Sequence, residues 1–171
     1  ESSDQVLLNG KRDKETVDFQ VGFVIDASGP RGCLFRLLRL SERHLPLMPM
    51  TSGLFAHFKN VGSLNIEDGV PYPVEDAAVH HVFDGGWVWV LKFNNGITSA
   101  GVAASPEKVK SLRLSEGAVG WNLLLSHLPT LAKQFREADI QNDFVFVREL
   151  SFGVDEVAGS RWAILPPAAG F

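Results

Sequence analysis

The sequence predicts an α+β fold: an antiparallel β-meander sheet with two or three helices, bracketed by strand segments of a different, α/β kind. Three observations predict it. Apolar runs at 77–84, 87–93 and 97–103 are separated by Gly85-Gly86 and Asn94-Asn95-Gly96, residues that accept the positive φ of tight hairpin turns. After Ser115 the apolar spacing changes to helical, with Val119, Leu123 and Leu124, and then Leu131 and Phe135 four apart. Val21-Gly22-Phe23-Val24-Ile25 is apolar almost without a break, as in a strand covered on both faces.

Taken in order, Val6-Leu7-Leu8 reads as a short strand, with Gly10-Lys11-Arg12-Asp13 as its turn. A longer strand runs from about Thr16 to Asp26, and Ser28-Gly29-Pro30-Arg31-Gly32 ends it. Residues 33–40 read as a short amphipathic helix, with Leu34, Leu37 and Leu38 inward and Arg36 and Arg39 outward. Cys33, in that apolar run, reads as a buried and inert thiol. Leu45-Pro46-Leu47-Met48-Pro49-Met50 is a proline-broken loop or crossover. A strand at 53–61 precedes a loop at 65–73, and the meander follows. Ser115 is placed to cap a helix that carries Val119, Trp121, Leu123 and Leu124. Pro129 suits the first turn of another helix, over 130–138. Residues 143–149 alternate as a strand, and 161–165 form a last short strand before Pro166-Pro167.

Composition limits the functional classes. The chain has 171 residues, enough to bury roughly 70% of its unfolded surface. Sixteen basic residues against twenty acidic ones give a net charge of −4, so no nucleic-acid partner is expected. No window approaches the ~18 apolar residues of a membrane span, so no membrane partner is expected either. The polar opening Glu1-Ser2-Ser3-Asp4 is not that of a secretory signal, and the single cysteine, Cys33, fits a reducing cytoplasm. The chain starts without Met and stops at Ala168-Ala169-Gly170-Phe171, so its ends are expected to be boundaries inside a longer protein.

The aromatic strand is the sharpest chemical feature. Period two puts Trp87, Trp89, Leu91 and Phe93 on one face, and Val88, Val90 and Lys92 on the other. Two indoles on one strand face make a flat, stiff wall suited to a planar aromatic ligand. The competing reading is an ordinary core face, packed under the helices that follow. His57 and His80 stand on sheet strands as candidate polar groups of the cavity; His80 and His81, being adjacent, face opposite sides. Their spacing matches no established metal motif, so no metal is expected. A strand that ends in Asp26-Ala27-Ser28-Gly29 is like a dinucleotide-fold strand leading into a phosphate- or flavin-facing turn, where small residues admit a ligand to the backbone. The G-x-G-x-x-G fingerprint is absent, and no serine sits in a nucleophile elbow.

Together these segments resemble the flavin-dependent halogenase family of FAD-dependent oxidoreductases. Val24-Ile25-Asp26-Ala27-Ser28-Gly29 resembles a flavin-proximal strand and turn. Trp87-Val88-Trp89-Val90-Leu91 resembles the Trp-x-Trp-x-Ile-Pro signature, with Lys92 where that signature has proline. Residues 71–83 and 93–101 are similar to a halogenase-like subgroup. Residues 162–171 resemble the start of the segment G-D-A-A-G-F-x-D-P, with Pro167 in place of its aspartate. The resemblance implies reduced-flavin and oxygen chemistry on a small, aromatic substrate, with a flavin reductase supplying reduced flavin. It implies that 1–40 is the tail of an FAD-binding domain, 41–150 a substrate-side sheet domain, and 151–171 the return towards the cofactor. It assigns FAD contacts to Asp26, Ala27, Ser28, Gly29, Ala168, Ala169 and Gly170, and the substrate wall to Trp87 and Trp89; Phe93 on the same strand face, and His57 and His80 on the sheet strands, are the further substrate contacts that the residues themselves suggest. The resemblance places the catalytic residues on no position of this chain. Without the Gly-rich turn that carries the pyrophosphate, this chain alone is expected neither to hold FAD nor to be active. The alternative is a self-standing β-cavity protein that binds a small apolar ligand without chemistry. The two differ at 21–25 and 161–165: a parallel pair apart from the meander fits the first, closure of the meander into a barrel the second.

Overall fold

Asp13 and Lys14 both take a positive φ, and a tight turn there folds the first strand directly back on the second. A computed structural model describes residues 4–43, 46, 49–64 and 71–171. In chain order it contains β1 (Val6–Arg12), β2 (Glu15–Val21), β3 (Val24–Asp26), α1 (Cys33–Leu37), β4 (Ser52–Lys59), β5 (Val79–Phe83), β6 (Gly86–Lys92) and β7 (Thr98–Ala104). There follow α2 (Pro106–Ser111), α3 (Ala118–His127), α4 (Pro129–Gln134), β8 (Asp139–Ile140), β9 (Val145–Val147), β10 (Ala158–Gly159) and β11 (Trp162–Ile164). The chain divides into two compact units, Glu1–Met48 with Ser151–Phe171, and Pro49–Leu150.

In the first unit, β1 and β2 form an antiparallel ribbon. Gly10 pairs across from Val17 within it, so the expected turn at Gly10 to Asp13 moves to Asp13-Lys14. The long strand expected at 16–26 is two strands, because the chain leaves the ribbon at Gly22-Phe23 and β3 pairs in parallel with β11. That segment is not covered on both faces: Phe23 is exposed and Ile25 is 63% exposed. Helix α1 is a short turn that buries Leu34 alone, whereas Leu37, Leu38 and the Cys33 thiol are exposed, against expectation. Five residues make too few turns to present a stripe. The small core here is Leu34, Phe152, Val154, Ile164 and Ala168.

In the second unit, the sheet order is β5-β6-β7-β4-β8, with β9 also on β4, and every pairing is antiparallel. The meander therefore stands as the sequence predicts. Its first turn is Asp84-Gly85 rather than Gly85-Gly86, since Gly86 already pairs with Phe83 and Gly85 alone has positive φ. The second turn is at Asn94, Asn95 and Gly96, closed by the Phe93 N–H donating to Ile97 O. Helix α2 was not foreseen, although Ser105 caps it through the Lys108 N–H and Pro106 opens it. Ser115 caps nothing; it lies in a 3₁₀ turn, and Gly117 precedes α3. Leu131 and Phe135 are buried as expected, and Trp121 and Leu124 with them, but Val119 is exposed. The strand expected at 143–149 shortens to β9. Parts of the expected loops at 45–50 and 65–73 lie outside the described residues.

Parity divides the sheet. Leu54, Ala56 and Phe58 of β4, Ala100, Val102 and Ala104 of β7, and Val88 and Val90 of β6 point to one side. There they pack with Leu112, Leu114, Trp121, Leu124, Leu131 and Phe135 from the helical segments. Phe58 stacks on Trp121 at 5.5 Å between ring centres and meets Phe135 edge-on at 5.1 Å. The helical segments of this unit thus pack on that face.

Candidate functional site

The other face of that sheet carries the tryptophans. Trp87 lies opposite Ala103, Trp89 opposite Gly101, and Leu91 opposite Ser99 on β7; Gly101 in turn faces Phe55, and Ser99 faces His57, on β4. On the far side, His80 faces Trp89 and Val82 faces Trp87. Residues directly opposite one another share a face, so Trp87, Trp89, His57 and His80 stand on one surface. Val88 and Val90, 0% and 2% exposed, take the core positions, while both indoles are half-buried. The tryptophans are therefore not the packing layer beneath the helices.

The Trp89 ring is held from three sides. Its Nε1 donates to Ser99 Oγ at 3.5 Å, a long bond, and Phe55 lies 6.2 Å away between ring centres. Beneath it, Gly101 has no side chain, and a Cβ there would overlap Cζ2 and Cη2 of the indole and crowd Cβ of Phe55. The sequence reading missed Phe55, Ser99 and Gly101. Phe55 was legible, since it is in phase with His57 along β4; the other two become visible only through the β6–β7–β4 register.

The remaining candidates on this unit sit differently. His57 is exposed, and its backbone ties β4 to the 141–142 segment through Asn142 Oδ1 and the Gln141 N–H. His80 Nδ1 lies 3.1 Å from the carbonyl of Ala78. His81, on the helix side, lies 3.1 Å from Gln134 Oε1. Phe93 falls just past the end of β6, exposed, beside a cleft of about 600 Å³ that Leu91, Lys92, Glu75 and Ala77 also line. Neither indole lines that cleft. Lys92 donates to Glu75 Oε1 at 2.7 Å across it. That bond, helped by Ser63 and outweighing partial burial, holds the Glu75 carboxyl below its ordinary range. Among the described residues no group of three His, Cys, Asp or Glu side chains could hold a metal.

The flavin-side candidates lie in the first unit, at the carboxyl ends of the parallel pair β3 and β11. Leu165 N–H donates to Asp26 O, and the Ala168 and Ala169 N–H groups donate back to Leu165 O. Asp26-Ala27-Ser28-Gly29 and Ala168-Ala169-Gly170 are thereby joined through Leu165. Asp26 is only 5% exposed. It accepts from Leu34 N at 2.6 Å, Ser28 N at 2.9 Å and Ser28 Oγ at 2.6 Å, and so caps the start of α1. Burial pushes this carboxyl up, but the bonds from Ser28 and Leu34, with the Arg36 charge, outweigh it and hold it below the ordinary carboxylate range. Ser28 Oγ also accepts from the Cys33 N–H. Ala168 is fully buried, and Gly170 bridges to Gly153. Gly29 differs: its φ is +93°, and nothing lies within 4 Å of where a Cβ would be, so its backbone is open to an approaching group.

No family model matches the chain. It is 27% identical over 160 residues to the monodechloroaminopyrrolnitrin halogenase PrnC of Pseudomonas fluorescens, a match that takes in 87% of this chain and 28% of that protein. It is 28% identical over 164 residues to the tetracycline 7-halogenase of Kitasatospora aureofaciens, covering 87% of this chain and 29% of that one. In fold it is similar to the crystal structure of halogenase PltM in complex with phloroglucinol and FAD, with a TM-score of 0.73 and 24% identity over 98% of this chain and 37% of that one. The chain thus spans less than a third of the length of these two curated relatives.

Proposed function

We propose that this chain, similar to flavin-dependent halogenases over most of its length, is the substrate-side portion of an FAD-dependent oxidoreductase that acts with reduced flavin and oxygen on a small aromatic substrate. The division of the six-stranded sheet carries the reading: its valine face packs under helices, and its indole face does not. Trp87, Trp89 and Phe55 then form the wall against which a planar ring stacks, with His57, His80 and Ser99 as its polar groups and Phe93 beside the cleft at the strand end.

The first unit supplies part of the flavin side. Parallel strands present their carboxyl ends to ligands in dinucleotide folds. Here that end carries the Asp26-Ala27-Ser28-Gly29 turn, open at Gly29, next to 165–170. These residues fit a flavin: the Gly29 backbone would lie against it, while Asp26 and Ser28 hold the turn's shape from inside. FAD, when bound, would supply the redox reactivity, and this chain's residues would orient the substrate and exclude water. A flavin reductase would supply the reduced cofactor. The parallel pairing of β3 with β11, in a sheet that shares no strand with the meander, argues against a self-closed β-cavity protein.

The test is to extend the chain with its flanking coding sequence, supply reduced FAD, oxygen and chloride, and offer phloroglucinol as probe. Mass spectrometry should find a chlorinated or oxygenated product that disappears in Trp89→Ala while the thermal midpoint holds. Loss of product that tracks loss of folding would return the indoles to a packing role. No flavin-dependent product at all from the folded extended chain would overturn the reading.

A further inference from the structure

Gly101 has a duty that strand-forming does not require. It sits in the centre of β7, between Trp89 on one neighbour and Phe55 on the other, in one row across the sheet. Any side chain at this position would enter the volume that the six-membered part of the Trp89 indole occupies. The strand has room for larger residues elsewhere: Val102 and Thr98 are buried on its other face, and Ala103 lies opposite Trp87. At Gly101 an aromatic ring lies across the strand itself. Phe55 stops the ring on its far side, and Ser99 holds its N–H end.

We propose that Gly101 is the positioning residue of the aromatic wall: by lacking a Cβ it lets the Trp89 indole lie flat, and so sets the depth of the space over the sheet in which a planar ligand stacks. This rests on the wall reading given above. A methyl group at Gly101 would tilt the indole outward into that space, leaving its N–H without Ser99 and its edge in water.

The chain labelled with 5-fluorotryptophan tests this. It has four tryptophans, and Trp89→Phe assigns the Trp89 fluorine resonance. Gly101→Ala should shift that resonance and raise its H₂O/D₂O isotope effect, while the resonance of Trp121 in the core stays in place. Affinity for 1-naphthol, followed by fluorescence, should fall about tenfold, the scale of one lost aromatic contact. If the Trp89 resonance does not move, the proposal is overturned. If it moves and 1-naphthol binds as before, with Trp89→Ala still abolishing binding, the positioning role fails and the wall stands. If 1-naphthol does not bind the unaltered chain, the wall reading itself falls, and this proposal with it. Should Gly101→Ala not fold, the double variant with Trp89→Phe decides. Recovery of folding with the smaller ring supports the clash with the indole; failure of both puts the decisive clash at Phe55 Cβ, which a Cβ at this position also meets, and overturns the proposal.

Discussion

Asp26 has its carboxylate spent inside the fold, on the hydroxyl and N–H of Ser28 and on the Leu34 N–H in the first turn of α1. Its pKa is lowered on folding, so its contribution is complete above the unfolded value of about 3.9 and is lost as pH falls through the lower folded value. Asp26→Asn turns one acceptor into a donor facing N–H groups, and should cost about 1–3 kcal/mol in urea unfolding at pH 7. The gap between the two proteins should narrow below about pH 4; a gap independent of pH would mean that the charge is irrelevant. Tryptophans separate in the same way by what surrounds them. Trp121 is 3% exposed amid Phe58 and Phe135, and its truncation to alanine should cost about 3–5 kcal/mol. Trp89 is half-buried on the other face, and Trp89→Ala should cost clearly less. Equal losses in denaturant titrations would place both in the core.

Elements here are set by their ends. The β5–β6 hairpin turns on Asp84-Gly85, where Gly85 has a φ of +82° and the Lys108 side chain lies across it. Gly85→Ala should lower stability by about 1–2 kcal/mol, the cost of a left-handed L-residue, and thermal melts will show it. Ser105 lies in the connection from β7 and caps α2, so Ser105→Ala should cost about 0.5–1 kcal/mol, with Ser105→Asp retaining most of it. Circular dichroism melts that cannot tell Ser105→Ala from the parent would show that Pro106 alone starts the helix. The alternation of 87–93 and the glycine-bearing turns were legible because strand parity and positive φ are local properties. The cap at Ser105 was equally local, and the Ser-Pro-Glu signal for it stands in the sequence. By contrast, the turn at Asp13-Lys14 carries no glycine, and nothing local distinguishes it from its neighbours.

For the whole molecule, the pyrophosphate-binding turn is the element that would hold a dinucleotide most strongly, and its G-x-G-x-x-G pattern does not occur in these 171 residues. Titrating FAD into the chain should therefore give neither a shift of the visible flavin band nor quenching of flavin fluorescence; stoichiometric binding at micromolar concentration would refute this. No helix among the described residues is long and apolar enough to cross a membrane. The sequence by itself determined the α+β class, the three-stranded meander, the opposite faces of Trp89 and Val90, and the resemblance to flavin-dependent halogenases, because each is written in runs of neighbouring residues. Only the tertiary structure decided which sheet face the helices cover, since alternation labels two faces without saying which is inside. It alone showed that Asp26 points inward, that Cys33 and Ile25 are exposed, and that β3 pairs in parallel with β11, a strand more than 130 residues away. The reason is physical: burial and long-range pairing depend on what the rest of the chain brings to a residue, and Gly101 under Trp89 owes its role to a neighbour on another strand.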